Sequence, residues 1–62
     1  MKKTMTKQSF EVARLASGVV LRTNKPDKAR MAWADEAEAY PEQKVYLWTW
    51  SGSRRVREQV AN

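Results

Sequence analysis

The clearest pattern in the chain is a strict alternation of side chains over residues 44–50. Tyr46, Trp48 and Trp50 fall on one side of this stretch, and Val45, Leu47 and Thr49 fall on the other. A period of two in aromatic and β-branched residues predicts a β-strand. The Ser-Gly-Ser sequence at residues 51–53 then predicts a turn, after which residues 54–59 can pair back as a second strand.

A similar hairpin is predicted closer to the N-terminus. Residues 9–16 alternate as a strand, Ser17 and Gly18 are turn residues, and residues 19–23 contain enough β-branched side chains to return as a strand. Residues 1–8 show no periodicity and carry three lysines. We therefore expect a basic flexible arm over residues 1–8 and one small domain over residues 9–62.

Between the two hairpins, a recurrence of alanine predicts one helix. Asn24 can cap its first turn, Pro26 is tolerated at the first helical position, and Pro41 ends it. The residues at helical spacing are Ala29, Ala32, Trp33, Ala37 and Tyr40. The predicted fold is α+β with the order ββαββ, in which one helix packs on one face of an antiparallel sheet of three to four strands.

A single helix covers only one face of such a sheet, and the sequence favours the face that carries the aromatic residues. Bulky rings on the sheet would interdigitate with the alanines of the helix, and large aromatic residues usually bury. The binding surface would then consist of Arg22, Leu47, Thr49, Arg55 and Arg57. The alternative, in which the exposed surface is the tryptophans themselves, stays open.

The chain contains no cysteine and no histidine. Disulfides, thiolate or imidazole metal ligands and the common catalytic arrangements built on these side chains are therefore excluded. Four carboxylates, those of Asp35, Glu36, Glu38 and Glu42, cluster in one polar stretch, where solvated helix charges are far commoner than a catalytic pair. We expect a protein without catalytic activity, metal ion or cofactor.

Basic residues outnumber acidic ones by 12 to 7, and the charges are segregated along the chain. The net charge is +5 for residues 1–26, −3 for residues 27–43 and +3 for residues 44–62. A positive surface favours encounter with polyanions. No apolar run approaches the ~20 residues that span a bilayer, so we expect a cytoplasmic protein with no membrane partner.

Two functional hypotheses follow. The first is a small regulatory nucleic-acid-binding protein, with DNA ahead of RNA, because three arginines lie within four residues beside a glycine turn. Its candidate contacts are Lys2, Lys3, Lys7, Arg22, Thr49, Arg54, Arg55 and Arg57, with Tyr46, Leu47, Trp48 and Trp50 as stacking or partner contacts.

The second hypothesis is a protein-binding module (an inhibitor, an adaptor or a homodimer) that docks through the uncovered sheet face.

Overall fold

The computed structural model describes residues 7–62, and residues 1–6 lie outside the description. The elements in chain order are β1 (Gln8–Arg14), β2 (Gly18–Thr23), α1 (Pro26–Ala39), β3 (Val45–Ser51) and β4 (Arg54–Ala61). The predicted α+β class and the ββαββ order are confirmed. Lys2 and Lys3 of the predicted arm lie outside the described residues, and β1 already begins at Gln8, within the range predicted for the arm.

All four strands form one antiparallel sheet in the order β2-β1-β3-β4, so the two central strands come from different hairpins. In the central pair, Phe10 lies opposite Thr49 and Val12 lies opposite Leu47. Directly opposed residues of antiparallel strands share a face. Phe10 and Val12 therefore lie on the same side of the sheet as Leu47 and Thr49, and not on the side of the aromatic residues.

The helix α1 packs on the side of the sheet that carries Phe10, Val12, Leu47 and Thr49. The core consists of Phe10, Val12, Ala29, Val45 and Leu47, with Leu21, Ala32, Trp33 and Ala37 packed against it. The alanines allow the helix to approach the short side chains of the central strands closely, and the Trp33 indole N–H donates a hydrogen bond of 2.9 Å to the carbonyl of Val45. The prediction that the helix covers the aromatic face is wrong, because Tyr46, Trp48 and Trp50 point to the opposite side of β3.

The two hairpin loops differ from the predicted ones by one residue each. Arg14 pairs with Gly18, which leaves a three-residue loop, and Gly18 has a φ of 79°. A left-handed residue commonly follows the tight turn in short hairpins, and glycine adopts this conformation without steric cost. Ser51 pairs with Arg54 around a two-residue loop, in which Gly52 has a φ of 64°. A positive φ at the first loop residue is what a type II′ turn requires, and glycine adopts it without steric cost.

Both outer strands contain an irregularity in their pairing. On β2 the register shifts opposite Val12 and Ala13, and on β4 it shifts opposite Thr49 and Trp50. On β4, Arg57 pairs with Thr49 and Arg55 pairs with Trp50, so that Val56 is the extra residue of a bulge. Bulges on outer strands disfavour edge-to-edge pairing with another sheet.

The capping interactions at the two ends of α1 differ from the predicted ones. The N-cap is Lys25 and not Asn24, and no side chain caps the first turn. At the other end, the Asn62 side-chain amide lies 2.9 Å from the carbonyl oxygen of Ala37 and 3.2 Å from those of Tyr40 and Gln43. The residue that follows β4 thus supplies hydrogen-bond donors to the Ala37 and Tyr40 carbonyls at the helix C-terminus, where carbonyls lack partners within the helix, and to the Gln43 carbonyl in the loop that follows.

Candidate functional site

The side of the sheet that faces away from α1, called the open face below, is built from cross-strand rows. The first row contains Val19, Ala13, Tyr46 and Val60, the second contains Arg22, Glu11, Trp48 and Glu58, and the third contains Ser9, Trp50 and Arg55. No other element of the described chain packs over these rows, since α1 contacts β1, β2 and β3 from the other side. Among residues 7–62, the open face is therefore a large surface that is left free for a partner.

Three rings run along β3 in the middle of the open face, and we call them the aromatic stripe (Tyr46, Trp48 and Trp50). Each of the three residues is half-buried, so part of each ring is accessible. The centroids of the Tyr46 and Trp48 rings are 5.6 Å apart, and their planes are inclined by 23°. The alternation of β3 places the three rings on one side, at a spacing of about 6.7 Å between successive positions.

Two carboxylates anchor the indoles of the aromatic stripe. The Trp50 indole N–H donates to Glu11 Oε1 at 3.0 Å, and the Trp48 indole N–H donates to Glu58 Oε2 at 2.8 Å. Glu11 is only 8% exposed, and its Oε2 also accepts a hydrogen bond of 2.8 Å from the guanidinium of Arg22. The Arg22 Nη2 atom lies 2.7 Å from the same oxygen. These bonds hold the rings of Trp48 and Trp50 in place on the open face.

Arg55 lies over the two tryptophans of the stripe. Its guanidinium carbon is 4.7 Å from the ring centroid of Trp48 and 5.9 Å from that of Trp50. Both distances are within the range of a cation–π interaction. Arg55 is exposed and forms no ion pair with any of residues 7–62. Its charge is therefore available to an anionic partner that reaches the rings.

Basic residues collect at the end of the sheet where β3 turns into β4, which we call the hairpin end. The register places β1's first residue, Gln8, opposite Ser51 beside this turn, and β2 also finishes there before the helix begins. The exposed cations at the hairpin end are Lys7, Lys25, Arg54 and Arg55. The acidic C-terminal half of α1, with Glu36 and Glu38, runs to the opposite end, where Asn62 meets the helix.

The structure separates the residues predicted as one binding surface. Arg22 and Arg55 lie on the open face, whereas Leu47 is 3% exposed and Thr49 is 8% exposed beneath the helix. Arg57 is exposed but lies opposite Thr49, on the helix side of β4. Leu47 and Thr49 are thus corrected from surface contacts to buried residues, because the helix covers their side of β3.

Sequence reasoning missed the part that Glu11 and Glu58 play on this face. Both lie directly opposite Trp48, one on β1 and one on β4. A correct alignment of the four strands would have revealed them, since each carboxylate is then a cross-strand neighbour of an indole. The pattern of either hairpin alone carries no such signal.

The described residues show none of several other kinds of site. No concave pocket forms among residues 7–62, and no three carboxylates there are grouped so that they could hold a metal ion. No helix in that range is long and apolar enough to cross a membrane. Comparisons with protein-family models, with curated proteins and with solved structures find no match.

Proposed function

We propose that this protein binds single-stranded nucleic acid on the open face, with bases stacked on the aromatic stripe and phosphates near the cations of the hairpin end. DNA is expected ahead of RNA, in a regulatory role. The observation that carries the proposal is the position of Arg55, an exposed cation over the rings of Trp48 and Trp50 on a face that no other described element covers. Aromatic rings beside positive charge are the usual platform for unpaired bases.

The geometry of the stripe favours a single strand over a duplex. A ring can stack only on a base whose face is free, and in a duplex both faces of each internal base are already stacked. The ring centroids of Tyr46 and Trp48 are 5.6 Å apart, which is wider than the roughly 3.4 Å rise per base along one strand of a duplex. An extended single strand can place successive bases at the wider spacing.

Electrostatics at the hairpin end supports the same partner. Lys7, Arg54 and Arg55 are exposed and form no ion pair with described residues, whereas Arg22 and Arg30 are paired with Glu11 and Asp27. Free cations release counterions from a bound polyanion, which is the main source of affinity in such complexes. The net charge of +5 adds a general attraction.

Arg55 has to move when a base stacks on the rings that it covers. Because its side chain is exposed, the guanidinium can swing outward and pair with a phosphate while a base takes its place on the ring. A guanidinium plane can also stack on a base directly. In both arrangements one residue links the stacking contact to the phosphate contact.

The direct test is a titration of the full chain with a short single-stranded DNA, the same sequence as RNA, and the matching duplex. Stacking should quench the fluorescence of Trp48 and Trp50, while Trp33, packed against the core, continues to emit. We expect single strands to bind and the duplex to bind more weakly at equal length. No change in fluorescence or anisotropy with either single strand, at low salt, would refute the proposal.

Substitution of Trp48 tests the role of the rings. We expect Trp48→Ala to weaken binding about tenfold, since stacking on one ring contributes ~1–3 kcal/mol per base, and Trp48→Phe to retain most of the affinity. Met31→Ala is the control, because Met31 is 67% exposed on the helix and far from the open face. Thermal unfolding of each variant separates a loss of binding from a loss of fold. Equal affinity of Trp48→Ala and the parent protein would contradict the stacking model.

A second candidate function is the docking of another protein on the open face. It is favoured by the exposed valines of the first row, since Val19 is 44% exposed and Val60 is 48% exposed on either side of Tyr46. Apolar patches on a sheet face often mark an interface. This candidate predicts a stable dimer or a stoichiometric complex in sedimentation and no response to nucleic acid.

A further inference from the structure

We infer that Glu58 selects among the bases of the bound strand, favouring bases that present amino groups over thymine and uracil. The inference rests on the proposed function and adds to it a class of preferred ligand. It follows from the position of one exposed carboxylate at the edge of a stacking ring.

The two carboxylates of the open face, Glu11 and Glu58, differ in whether an oxygen remains available to accept a hydrogen bond from a ligand. Both oxygens of Glu11 are occupied, one by Trp50 and the other by Arg22, and the residue is 8% exposed. Glu58 is exposed, its Oε2 accepts from Trp48, and no donor from residues 7–62 reaches its Oε1. Of these two carboxylates, Glu58 is the one with an oxygen that accepts no hydrogen bond from residues 7–62, at the surface where a base would stack.

The hydrogen bond to Trp48 fixes where that free acceptor lies. An acceptor of an indole N–H sits at the edge of the ring and close to its plane. A base in van der Waals contact with the ring lies about 3.5 Å above that plane, so its polar edge passes near the second oxygen of the same carboxylate. The distance of 2.8 Å from the indole nitrogen to Oε2 holds Glu58 in this position.

A carboxylate can only accept hydrogen bonds, and this restricts the bases that it suits. Cytosine and adenine carry exocyclic amino groups that donate, and Glu accepts from the cytosine amino group in known base readout. Thymine and uracil present a carbonyl oxygen in place of the amino group, which a carboxylate repels, and their one pairing-edge donor, the N3–H, lies between two carbonyl oxygens. Guanine also has donors on its pairing edge.

The negative charge of Glu58 also favours a base that donates a hydrogen bond to it. No cation among residues 7–62 forms an ion pair with it, so it repels the phosphates of any strand on the open face. A repulsive element at a binding surface raises specificity, because only a ligand that donates to it recovers the lost affinity. Bases without a suitable donor bear the repulsion alone.

The experiment compares cytosine and thymine homopolymers of equal length at neutral pH, in DNA and, as cytosine and uracil, in RNA. Both bases of each pair are pyrimidines of similar size, so stacking differs little. We expect the parent protein to prefer cytosine about fivefold to tenfold, as one base contact allows. In Glu58→Gln the preference should fall to about one, because the amide retains the bond to Trp48 and can donate to thymine or uracil.

Glu38→Gln is the matched control, since it removes the same charge from an exposed residue of α1 on the other side of the sheet. It should leave the cytosine preference intact. Equal binding of the two homopolymers by the parent protein, or an undiminished preference in Glu58→Gln, would overturn the role of Glu58 while leaving single-strand binding in place. Failure of all single strands to bind would instead overturn the proposed function and this inference together.

Discussion

Arg55 and Arg57 are two positions apart on β4, yet they lie on opposite sides of the sheet. In a regular strand, residues i and i+2 share a face. Here the bulge at Val56 intervenes, so that Arg55 pairs with Trp50 and Arg57 pairs with Thr49. The cluster of three arginines that first indicated a nucleic-acid contact is thereby divided, and only Arg55 meets the aromatic stripe.

Because Arg55 and Arg57 lie on opposite faces, replacing each by alanine should affect single-strand binding differently. We expect Arg55→Ala to weaken single-strand binding about fivefold or more, because it removes the guanidinium that would pair with a phosphate or stack on a base in the complex. Arg57→Ala should weaken binding less than twofold. The measurement is an anisotropy titration of both variants at one salt concentration, with circular dichroism to verify the fold.

Arg55→Lys refines the same comparison. Lysine retains the charge but has no planar group to stack on a ring or a base, so its affinity should fall between those of the parent protein and Arg55→Ala. If Arg57→Ala lost as much affinity as Arg55→Ala, the phosphate path would have to cross the helix side of β4, and the assignment of the open face would be wrong.

At the scale of the elements, the helix is held at its end rather than at its start. No side chain caps the first turn, although Thr23 Oγ1 accepts from the Lys25 N–H at 3.2 Å. The amide of Asn62, the residue after β4, reaches the carbonyl oxygens of Ala37 in the last turn, Tyr40 at the C-cap and Gln43 in the following loop. The helix macrodipole is also unfavourably complemented there, since the last turn contains no basic residue. Asn62 therefore supplies the polar contacts that the helix C-terminus otherwise lacks.

Two asparagine substitutions test this arrangement. The sequence-based prediction and the structure differ on which of them lowers the free energy of unfolding more. A cap at Asn24 would make Asn24→Ala cost about 1 kcal/mol, but the structure shows no such bond and predicts almost no change. Asn62→Ala should lower the free energy of unfolding by about 1 kcal/mol, since each lost hydrogen bond costs roughly 0.5–1.5 kcal/mol. Urea denaturation of both variants measures the difference, and a larger loss in Asn24→Ala would contradict the described helix ends.

At the scale of the whole molecule, charge is arranged as a positive end and a negative end. The hairpin end carries Lys7 and Arg54, and the opposite end carries Glu36 and Glu38. At that opposite end Arg14 is partly neutralised, because its Nε atom lies 3.2 Å from Glu36 Oε1 and its guanidinium lies 3.8 Å from the ring centroid of Tyr40. A polyanion should therefore approach by the hairpin end and extend from there along the stripe.

The salt dependence of binding measures how many phosphates this arrangement neutralises. With about three contacts, log K should fall against log salt with a slope of about −2 for a single strand, a loss on the order of tenfold between about 50 and about 200 mM. Lys7→Ala should reduce the slope, and Lys44→Ala, which removes the same charge at the opposite end of β3, should not. A flat dependence in the parent protein would contradict an electrostatic contact with phosphates.

The sequence by itself determined the elements and their order, because each depends on local chemistry. Alternation predicted β1 and β3, while β-branched content and turn residues predicted β2 and β4. The spacing of Ala29, Ala32, Trp33 and Ala37 predicted the packed face of α1. Single-residue details at the loops and the N-cap were wrong, since a left-handed Gly18 or Gly52 suits loops of more than one length. The composition also identified the aromatic residues and arginines as candidate binding residues, but it did not show on which face of the sheet each one lies.

Only the tertiary structure decided which face of the sheet is free. The local pattern of each hairpin does not reveal how β1 aligns with β3, because that contact joins two separate hairpins. A slip of one residue in this register would exchange every side chain of the strand between the two faces. The structure sets Val12 opposite Leu47, which puts the aliphatic residues under the helix and the aromatic stripe on the open face. The bulge at Val56 then places Arg55, and not Arg57, beside Trp48.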